Sequence, residues 1–284
     1  MTVKVCALGD FFLAPELFPE ILKRYCGDEI EFAVHKMPPG PMISGEHGDA
    51  IREYSGNEDQ VIEWAKDADA VLVHIAPVSR RVIDALPNLK FIGVGRGGPV
   101  NVDQAAAAER NIVLANAPGR NAGAVAEFTV GAIISTSREI AMGTMEMKAN
   151  EWSRVHYHYE NTGLELSEMT IGLIGYAHIG RIVGRLLCAF GDFFSKLKPG
   201  CILINTARGE LVDQKALLEH LISGSVGAAF LDTFNPEPPQ SDDPLIHHPK
   251  VFTTPHIAGA SKTSAHIAVN VISKALSEWI NDNR

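Results

Sequence analysis

Three side chains that can bind and protonate a substrate follow three short apolar runs in the second half of the chain. Arg208 lies in the loop that ends the first run, Glu237 lies just beyond the second, and His256 ends the third. Open α/β sheets bind ligands outside the carboxyl ends of their parallel strands. We therefore expect these three side chains to lie at one edge of a sheet. The three runs span residues 200–209, 226–231 and 251–256.

This combination of residue types suits hydride transfer at a 2-oxo acid. The forked donors of Arg208 can hold a carboxylate and polarise the adjacent carbonyl. His256 can protonate the developing alkoxide, and Glu237 can orient the imidazole and favour its charged form. A single loop arginine is usually a surface ion pair, and a single histidine after a proline is usually a loop or core residue. The hypothesis therefore depends on the joint placement of the three.

A glycine-rich turn precedes these runs. Residues 170–175 have the composition of a buried strand, and residues 181–190 predict a helix. Between them, Gly175 and Gly180 match the first and third glycines of the dinucleotide fingerprint, in which a helix N-terminus binds pyrophosphate. Ala177 replaces the middle glycine, so we expect the phosphate to be slightly displaced. A close-packed strand–helix turn that binds no nucleotide is the alternative interpretation.

The composition is that of a globular protein. The chain has 284 residues, which allows about two domains, and 46% of them are apolar and 21% charged. The net charge of −9 argues against a protein that neutralises nucleic-acid phosphates. No apolar run approaches about 18 residues, which predicts no membrane span. The start of the chain has no signal-peptide pattern.

The cysteines and histidines predict neither disulfides nor a metal site. The four cysteines, at positions 6, 26, 188 and 201, form no Cys-x-x-Cys pair, and reduced thiols are typical of a cytoplasmic protein. The histidines at positions 156, 158, 247 and 248 lack a cysteine or carboxylate at ligand spacing. We therefore expect a cytoplasmic protein without a metal ion.

Short β-rich runs alternate with helical patterns, which predicts an α/β protein with parallel sheets. Residues 36–57 contain three prolines and four glycines and predict a surface loop. A long helix is expected from about Asn121, with the methionines at 142, 145 and 147 on it and packed inside the protein. Residues 152–167 look irregular, and a last helix with one apolar face is expected from about Lys262. Earlier strands are expected at 3–8, 30–34, 70–75, 90–94 and 112–115.

Five motifs together resemble the D-isomer-specific 2-hydroxyacid dehydrogenase family, over nearly the whole chain. The resemblance implies a flavodoxin-like substrate domain, residues 1–118 completed by a C-terminal helix at 263–284. It implies a doubly wound Rossmann nucleotide-binding domain at 119–262 and a homodimer formed through that domain. The motifs are 116–119 with 121–127, the glycine turn, 205–213, 231–234 with 237–238, and 254–259.

The resemblance assigns roles to individual residues. It implies that Arg208, Glu237 and His256 are catalytic and that Asp232 holds the nicotinamide carboxamide. The implied cofactor is NAD or NADP. The other residues expected to line it are Gly175, Ala177, His178, Ile179, Gly180, Thr206, Ala207 and Gly259.

The family's substrate loop matches residues 95–103. There the resemblance implies that backbone N–H groups, at Gly97 and Gly98, hold the substrate carboxylate. Arg96 stands where the family usually has a small residue. It either binds a second anionic group of the substrate or is a solvated loop arginine.

The family pattern is interrupted near residues 191–192. The family continues there into a strand whose acidic end binds the adenosine ribose. Here Gly191 runs directly into residues 192–200, which resemble a much later part of the pattern. About two βα units are absent, and with them the residue that distinguishes NAD from NADP. We hypothesise that the working protein contains this segment, which would add about 6–7 kDa to the 30.7 kDa chain.

Together these features predict an NAD(P)-dependent oxidoreductase that reduces a small 2-oxo acid to its D-2-hydroxy acid. The expected ligands are the cofactor and a small anionic acid, with no nucleic acid and no membrane. The alternative is an NAD(H)-sensing corepressor or binding protein, because the same fold also occurs in the C-terminal-binding proteins of this family.

Overall fold

A computed structural model describes residues 2–45, 48–169, 171–173, 177–187 and 200–283. The chain divides into two compact units, Met1–Asn121 with Ser261–Arg284, and Ala122–Ala260. In the described residues the strands are β1 Val3–Gly9, β2 Ile30–Lys36, β3 Ile43–Gly45, β4 Gly48–Tyr54, β5 Ala70–Val73, β6 Phe91–Val94, β7 Val113–Asn116, β8 Cys201–Asn205, β9 Val226–Leu231 and β10 Val251–Thr253. The α-helices are α1 Phe18–Cys26, α2 Glu58–Ala65, α3 Arg80–Ala85, α4 Gln104–Glu109, α5 Ala122–Ser137, α6 Ile140–Lys148, α7 His178–Leu187, α8 Gln214–Ser223 and α9 Lys262–Asp282. None of these helices is both long and apolar enough to cross a membrane.

Five parallel strands form the sheet of the first unit, in the order β2-β1-β5-β6-β7. With the hairpin β3–β4 set aside, this is the 2-1-3-4-5 order of flavodoxin-like folds. β5 and β6 are apolar and buried along their whole length, as expected for parallel strands covered on both faces. The structure confirms the predicted α/β fold with parallel sheets.

The last helix, α9, begins at a capping box in which Ser261 and Ser264 each accept the other's backbone N–H through the side-chain oxygen. Ala268, Ile272 and Leu276 recur every four residues and are fully buried. This spacing forms one apolar face, which packs against α1 and β6 within the first unit. The helix and its apolar face are as the sequence predicts.

Three parallel strands form the sheet of the second unit, in the order β10-β9-β8. α8 packs against β9, and α5 packs against β8 and α7. α5 buries Val125, Ala126 and Ile133 on more than one side, because apolar residues also lie off its main stripe. The sheet therefore presents the carboxyl ends of β8, β9 and β10 along one edge.

The surface loop predicted at 36–57 is wrong, because β3 and β4 form an antiparallel hairpin within it. The prolines lie together at 38–41, before β3 begins, and the rest of the segment contains none. Ile51 and Tyr54 on β4 are buried, so packing forms a strand where overall composition predicts a loop. Residues 46–47, between β3 and β4 in the sequence, lie outside the described residues.

The predicted packing of the methionines is wrong for two of the three. The expected long helix ends at Ser137, and a left-handed Glu139 separates it from α6. Met145 is 64% exposed and Met147 55% exposed, while α6 has no buried residue. Sequence periodicity shows that side chains share a face, but not that the chain covers this face.

The irregular segment after α6 is fastened to that helix by His156. Its Nε2 lies 2.9 Å from the Glu146 carboxylate oxygens, and its Nδ1 hydrogen-bonds to Glu139. The bonds to Glu146 and Glu139 raise the pKa of His156 above its ordinary value, because they favour the doubly protonated ring. Folding thus brings two carboxylates to a histidine that has none at ligand spacing in the sequence.

The buried strand predicted at 170–175 is wrong for its described part. Residues 171–173 form no regular secondary structure, and within the described chain they have no ladder partner. Ile171 and Leu173 still pack against the apolar cluster of α5 and α7. Residue 170, residues 174–176 and the interruption at 191–192 lie outside the described residues.

Candidate active site

Arg208, Glu237 and His256 follow neighbouring strands of one parallel sheet. Arg208 follows β8, Glu237 follows the central strand β9, and His256 follows β10. The ends of β8 and β9 are joined by a backbone bond, in which the Asp232 N–H donates to the Asn205 carbonyl at 2.9 Å. The three predicted strands are therefore confirmed, and their carboxyl ends share an edge.

His256 and Glu237 form a hydrogen-bonded pair. Nδ1 of His256 lies 2.6 Å from Oε1 of Glu237, and the two side chains are 39% and 40% exposed. An ionised carboxylate only accepts hydrogen bonds, so Nδ1 carries the proton. That tautomer leaves Nε2 as the nitrogen that can exchange a proton with a ligand.

The backbone of His256 is held in a left-handed conformation, with φ 53°. Its N–H donates to the Asp232 carbonyl at 2.9 Å and to the Thr254 carbonyl at 3.0 Å. Such a conformation is unfavourable for a residue other than glycine and persists only where neighbouring groups enforce it. The turn after β10 thus fixes the direction of the imidazole.

Asp232, a residue that is only 1% exposed, holds this turn through its side chain. Oδ1 accepts the Thr254 hydroxyl at 2.5 Å and the Ile257 N–H at 2.9 Å, and Oδ2 accepts the Ala258 N–H at 2.9 Å. A carboxylate has about four acceptor positions, so roughly one remains for a further donor. The sequence gives no sign of this bracing role, because the partners lie 22–26 residues away.

Arg208 is exposed at the end of β8. Its Nη1 donates to the Ala207 carbonyl at 2.8 Å, and its own carbonyl accepts from Asn205 Nδ2 at 2.9 Å. The next residue is Gly209, where a Cβ would lie 2.1 Å from the backbone of Phe234. Only glycine permits this close approach, which sets the Arg208 loop against the segment that leads to Glu237. In the described residues, no hydrogen bond or ion pair joins Arg208 to His256 or Glu237.

Thr206 is tied to α5 through Thr129, a residue that sequence reasoning missed. The two hydroxyl oxygens lie 2.9 Å apart, and the Thr129 hydroxyl donates to the Val125 carbonyl at 2.7 Å. Thr206 must therefore donate to Thr129. Beside it, the Ala207 N–H donates to the Asn205 side chain, and Gly259 is half-buried after the Asp232-bound turn.

The predicted cofactor turn is described only in part. α7 begins at His178, so its first turn contains His178, Ile179 and Gly180, with Ala177 directly before it. The first N–H groups of a helix have no partner within the helix and can bind a phosphate. Gly175, expected at the tight turn, lies outside the described residues.

In the first unit, the predicted substrate loop follows β6. Arg96 is not a solvated loop arginine, because its side chain is 16% exposed and bonds to both the backbone carbonyl and the carboxylate of Glu53. The carbonyl of Gly97 accepts from Asn116 Nδ2 at 2.7 Å. The N–H groups of Gly97 and Gly98 have no hydrogen-bond partner among the described residues, so they are available to a carboxylate.

A family model and two similar relatives of this chain point to the same protein family. Residues 130–192 and 191–258 match the family model described as D-isomer specific 2-hydroxyacid dehydrogenase, NAD binding domain. YoaD of Bacillus subtilis, named as a 2-hydroxyacid dehydrogenase, is 31% identical over 82% of this chain and 82% of that protein. The hydroxypyruvate reductase of Thermotoga maritima is 30% identical over 78% of this chain and 88% of that protein.

A solved structure shows the same fold. The TT0316 protein from Thermus thermophilus superposes with a TM-score of 0.76, at 23% identity, over 99% of this chain and 97% of that chain.

The interruption of the family pattern stays a prediction, and two features of the comparisons concern it. The two stretches that match the family model meet at residues 191–192. The alignment with YoaD runs over 287 positions, although it covers only 82% of a 284-residue chain. Part of that relative therefore has no counterpart here.

Proposed function

Because this chain belongs to the D-isomer specific 2-hydroxyacid dehydrogenase family, we propose that Arg208, Glu237 and His256 carry out its reaction. The family identity predicted from the sequence is confirmed, as is the oxidoreductase class with a nicotinamide cofactor. The reaction is the reversible reduction of a small 2-oxo acid to its 2-hydroxy acid. The observation that carries the proposal is the His256–Glu237 pair at the strand ends that also carry Arg208.

The described residues fit a nicotinamide cofactor. The first turn of α7 would hold phosphate, and the remaining acceptor position of Asp232 would hold the carboxamide. When bound, the cofactor supplies or accepts the hydride. We assign residues 1–118 with the C-terminal helix at 263–284 to the substrate and residues 119–262 to the cofactor.

The chain's own backbone and side-chain groups bind the substrate and move its proton. Gly97 and Gly98 donate their N–H groups to the substrate carboxylate, and Arg208 polarises the 2-oxo group through its forked donors. His256 gives the proton on Nε2 to the oxygen that becomes the hydroxyl and takes it back in the reverse direction. Glu237 holds the ring through Nδ1 and stabilises the charged imidazolium.

Replacing Arg208 by lysine is expected to lower kcat/KM about 100-fold or more, because lysine keeps the charge but loses the forked donors. The measurement is NADH or NADPH oxidation with glyoxylate, hydroxypyruvate, pyruvate and a phosphorylated 2-oxo acid. Arg24→Lys is the matched control, because Arg24 is an exposed residue of α1 that pairs with Glu20 on the same helix.

Unchanged turnover in Arg208→Lys would refute the role of Arg208. A wild-type chain that binds NADH but oxidises it with none of these acids would favour the sensor instead.

We also propose that the chain forms a homodimer through the second unit. Several exposed apolar side chains lie on α6 and in the segment that follows it, up to residue 164. A large exposed apolar patch of this kind is typical of a protein–protein interface. Its side chains are Ile140, Met145, Met147, Trp152, Val155, Tyr157, Tyr159 and Leu164. The resemblance implies a homodimer, and this patch is the surface that a second copy would cover. The cytoplasm is the compartment we propose, since the described cysteines 6, 26 and 201 are free thiols.

Native mass spectrometry is expected to show twice the subunit mass for the wild type. Trp152→Glu is expected to shift the protein to the single-subunit mass, because a charge in an apolar interface loses its hydration. Ile222→Glu is the control, because Ile222 is 73% exposed in the same unit, on α8, outside the patch. A wild type that remains a single subunit, or a dimer that resists Trp152→Glu, would contradict this assignment.

A further inference from the structure

A second polar cluster lies in the first unit, at strand ends that the proposed reaction does not use. Asp10 follows β1, His74 follows β5, and Arg120 lies four residues beyond β7. The three form a chain: Nδ1 of His74 lies 2.8 Å from Oδ2 of Asp10, and its Nε2 lies 3.3 Å from Nη2 of Arg120. Asp10 and His74 are buried. The arrangement joins a carboxylate to a guanidinium through one imidazole.

The chemistry of the three groups fixes the direction of these bonds. A guanidinium can only donate, so His74 accepts through Nε2 and donates from Nδ1 to Asp10. Burial lowers the pKa of His74 more than Asp10 raises it, which keeps the ring neutral. Burial opposes the charge on Asp10, but the bond to His74 and the N–H groups of Phe12 and Leu13 outweigh it and lower the pKa of that carboxyl.

Arg120 is incompletely satisfied. Nε and Nη1 are both buried and have no hydrogen-bond partner in the described residues. The guanidinium carbon lies 5.1 Å from the centre of the Phe12 ring, so one face of the group rests on an aromatic ring. Burial and the nearby charge of Arg96 lower the pKa of Arg120 to about 10, which still leaves it charged at neutral pH. A buried charged donor without an acceptor is unfavourable. Binding of an anion to Nε and Nη1 of Arg120 would supply the missing acceptor.

The cluster adjoins the predicted substrate loop. The Ala117 N–H donates to the Arg96 carbonyl at 2.7 Å, and Asn116 Nδ2 donates to the Gly97 carbonyl. These bonds join the segment that leads to Arg120 to the loop whose free N–H groups suit a carboxylate. A small molecule bound to the N–H groups of Gly97 and Gly98 would therefore have the cationic group of Arg120 beside it.

We propose that Arg120 binds a second anionic group of the substrate, so that this enzyme prefers 2-oxo acids that carry a carboxylate or phosphate at their far end. This inference rests on the proposed function. It gives Arg120 the specificity role that the sequence analysis considered for Arg96. Arg96, bonded to Glu53, adds positive charge beside the site, and the Asp10–His74 pair holds Arg120 in place.

The test compares matched pairs of substrates in the wild type and in Arg120→Gln. The pairs are 2-oxobutyrate with oxaloacetate, and hydroxypyruvate with its 3-phosphate, which separate a carboxylate from a phosphate. We expect the wild type to favour one or both dianions in kcat/KM. Arg120→Gln is expected to lower kcat/KM for the preferred dianion about 10- to 100-fold, mainly through KM, and to affect its monoanionic partner at least tenfold less.

A second readout does not need turnover. Oxalate or inorganic phosphate, added at constant ionic strength, is expected to raise the melting temperature of the wild type but not of Arg120→Gln. Arg24→Gln serves as the control for loss of a charge. Circular dichroism of each variant shows whether it is folded.

The outcomes separate the two proposals. Equal losses for monoanions and dianions, together with equal stabilisation of wild type and variant by the added anions, would overturn the role of Arg120 while the dehydrogenase stands. Absence of NADH oxidation with every acid would overturn the proposed function. In that case the melting experiment still decides whether Arg120 binds an anion.

Discussion

Replacing His256 by asparagine is expected to lower kcat about 10²- to 10⁴-fold, the range that a general acid–base group contributes. Asparagine has no group that can give up a proton near neutral pH. It is also among the residues that best tolerate a left-handed backbone, which His256 adopts with φ 53°. The variant should therefore remove the proton transfer and keep the turn after β10 intact.

The measurement is kcat for oxidation of NADH by the best 2-oxo acid, with NADH binding followed by fluorescence. Binding of NADH is expected to change little, because the substitution leaves the proposed phosphate and carboxamide contacts in place. His266→Asn is a suitable control, because His266 is an exposed histidine on α9. Glu237→Gln is expected to cause a smaller loss than His256→Asn, since glutamine can still accept from Nδ1 but carries no charge. A kcat close to that of the wild type in His256→Asn would exclude His256 as the acid–base group.

The three strands that carry Arg208, Glu237 and His256 can be predicted from the sequence because each is a short apolar run that ends in a polar loop. Parallel pairing then places their ends at one edge, whatever the details of packing. The same reasoning finds the sheet of the first unit, where β5 and β6 are continuous apolar runs. In both cases the signal is local, and the topology is limited to few choices.

Other features depend on contacts that the sequence does not reveal. Asp10 and His74 are 64 residues apart, and His74 and Arg120 are 46 apart, so no spacing rule joins them. The prolines of the segment all lie before the hairpin β3–β4, which makes the average composition of the segment misleading. The exposure of Met145 depends on what covers α6, which periodicity cannot show.

Asp232 illustrates how a residue identified through resemblance can have a second role that only the structure reveals. The resemblance implies a contact with the nicotinamide carboxamide. The structure shows three hydrogen bonds from its carboxylate to the turn that carries His256. The two roles are compatible, because they use different acceptor positions of one carboxylate. They differ in what the loss of the side chain should change.

Replacing Asp232 by alanine is expected to destabilise the protein by about 3–5 kcal/mol, because the Thr254 hydroxyl and the N–H groups of Ile257 and Ala258 lose their acceptor. At about 2–4 °C for each kcal/mol, the melting temperature should fall by roughly 10 °C. The melting temperature of Asp232→Asn should lie between those of the wild type and Asp232→Ala, since one oxygen still accepts while the amide nitrogen faces an N–H donor. Asp242→Ala is the matched control, because Asp242 is an exposed carboxylate of the same unit.

Kinetics then separate the two roles of Asp232. If bracing of the turn dominates, Asp232→Asn should lower kcat, because His256 moves away from the proton it transfers, while KM for NADH changes little. If the carboxamide contact dominates, KM for NADH should rise while kcat is largely kept. A wild-type melting temperature in Asp232→Ala would show that the three hydrogen bonds do not hold the turn, and the left-handed conformation of His256 would then need another cause.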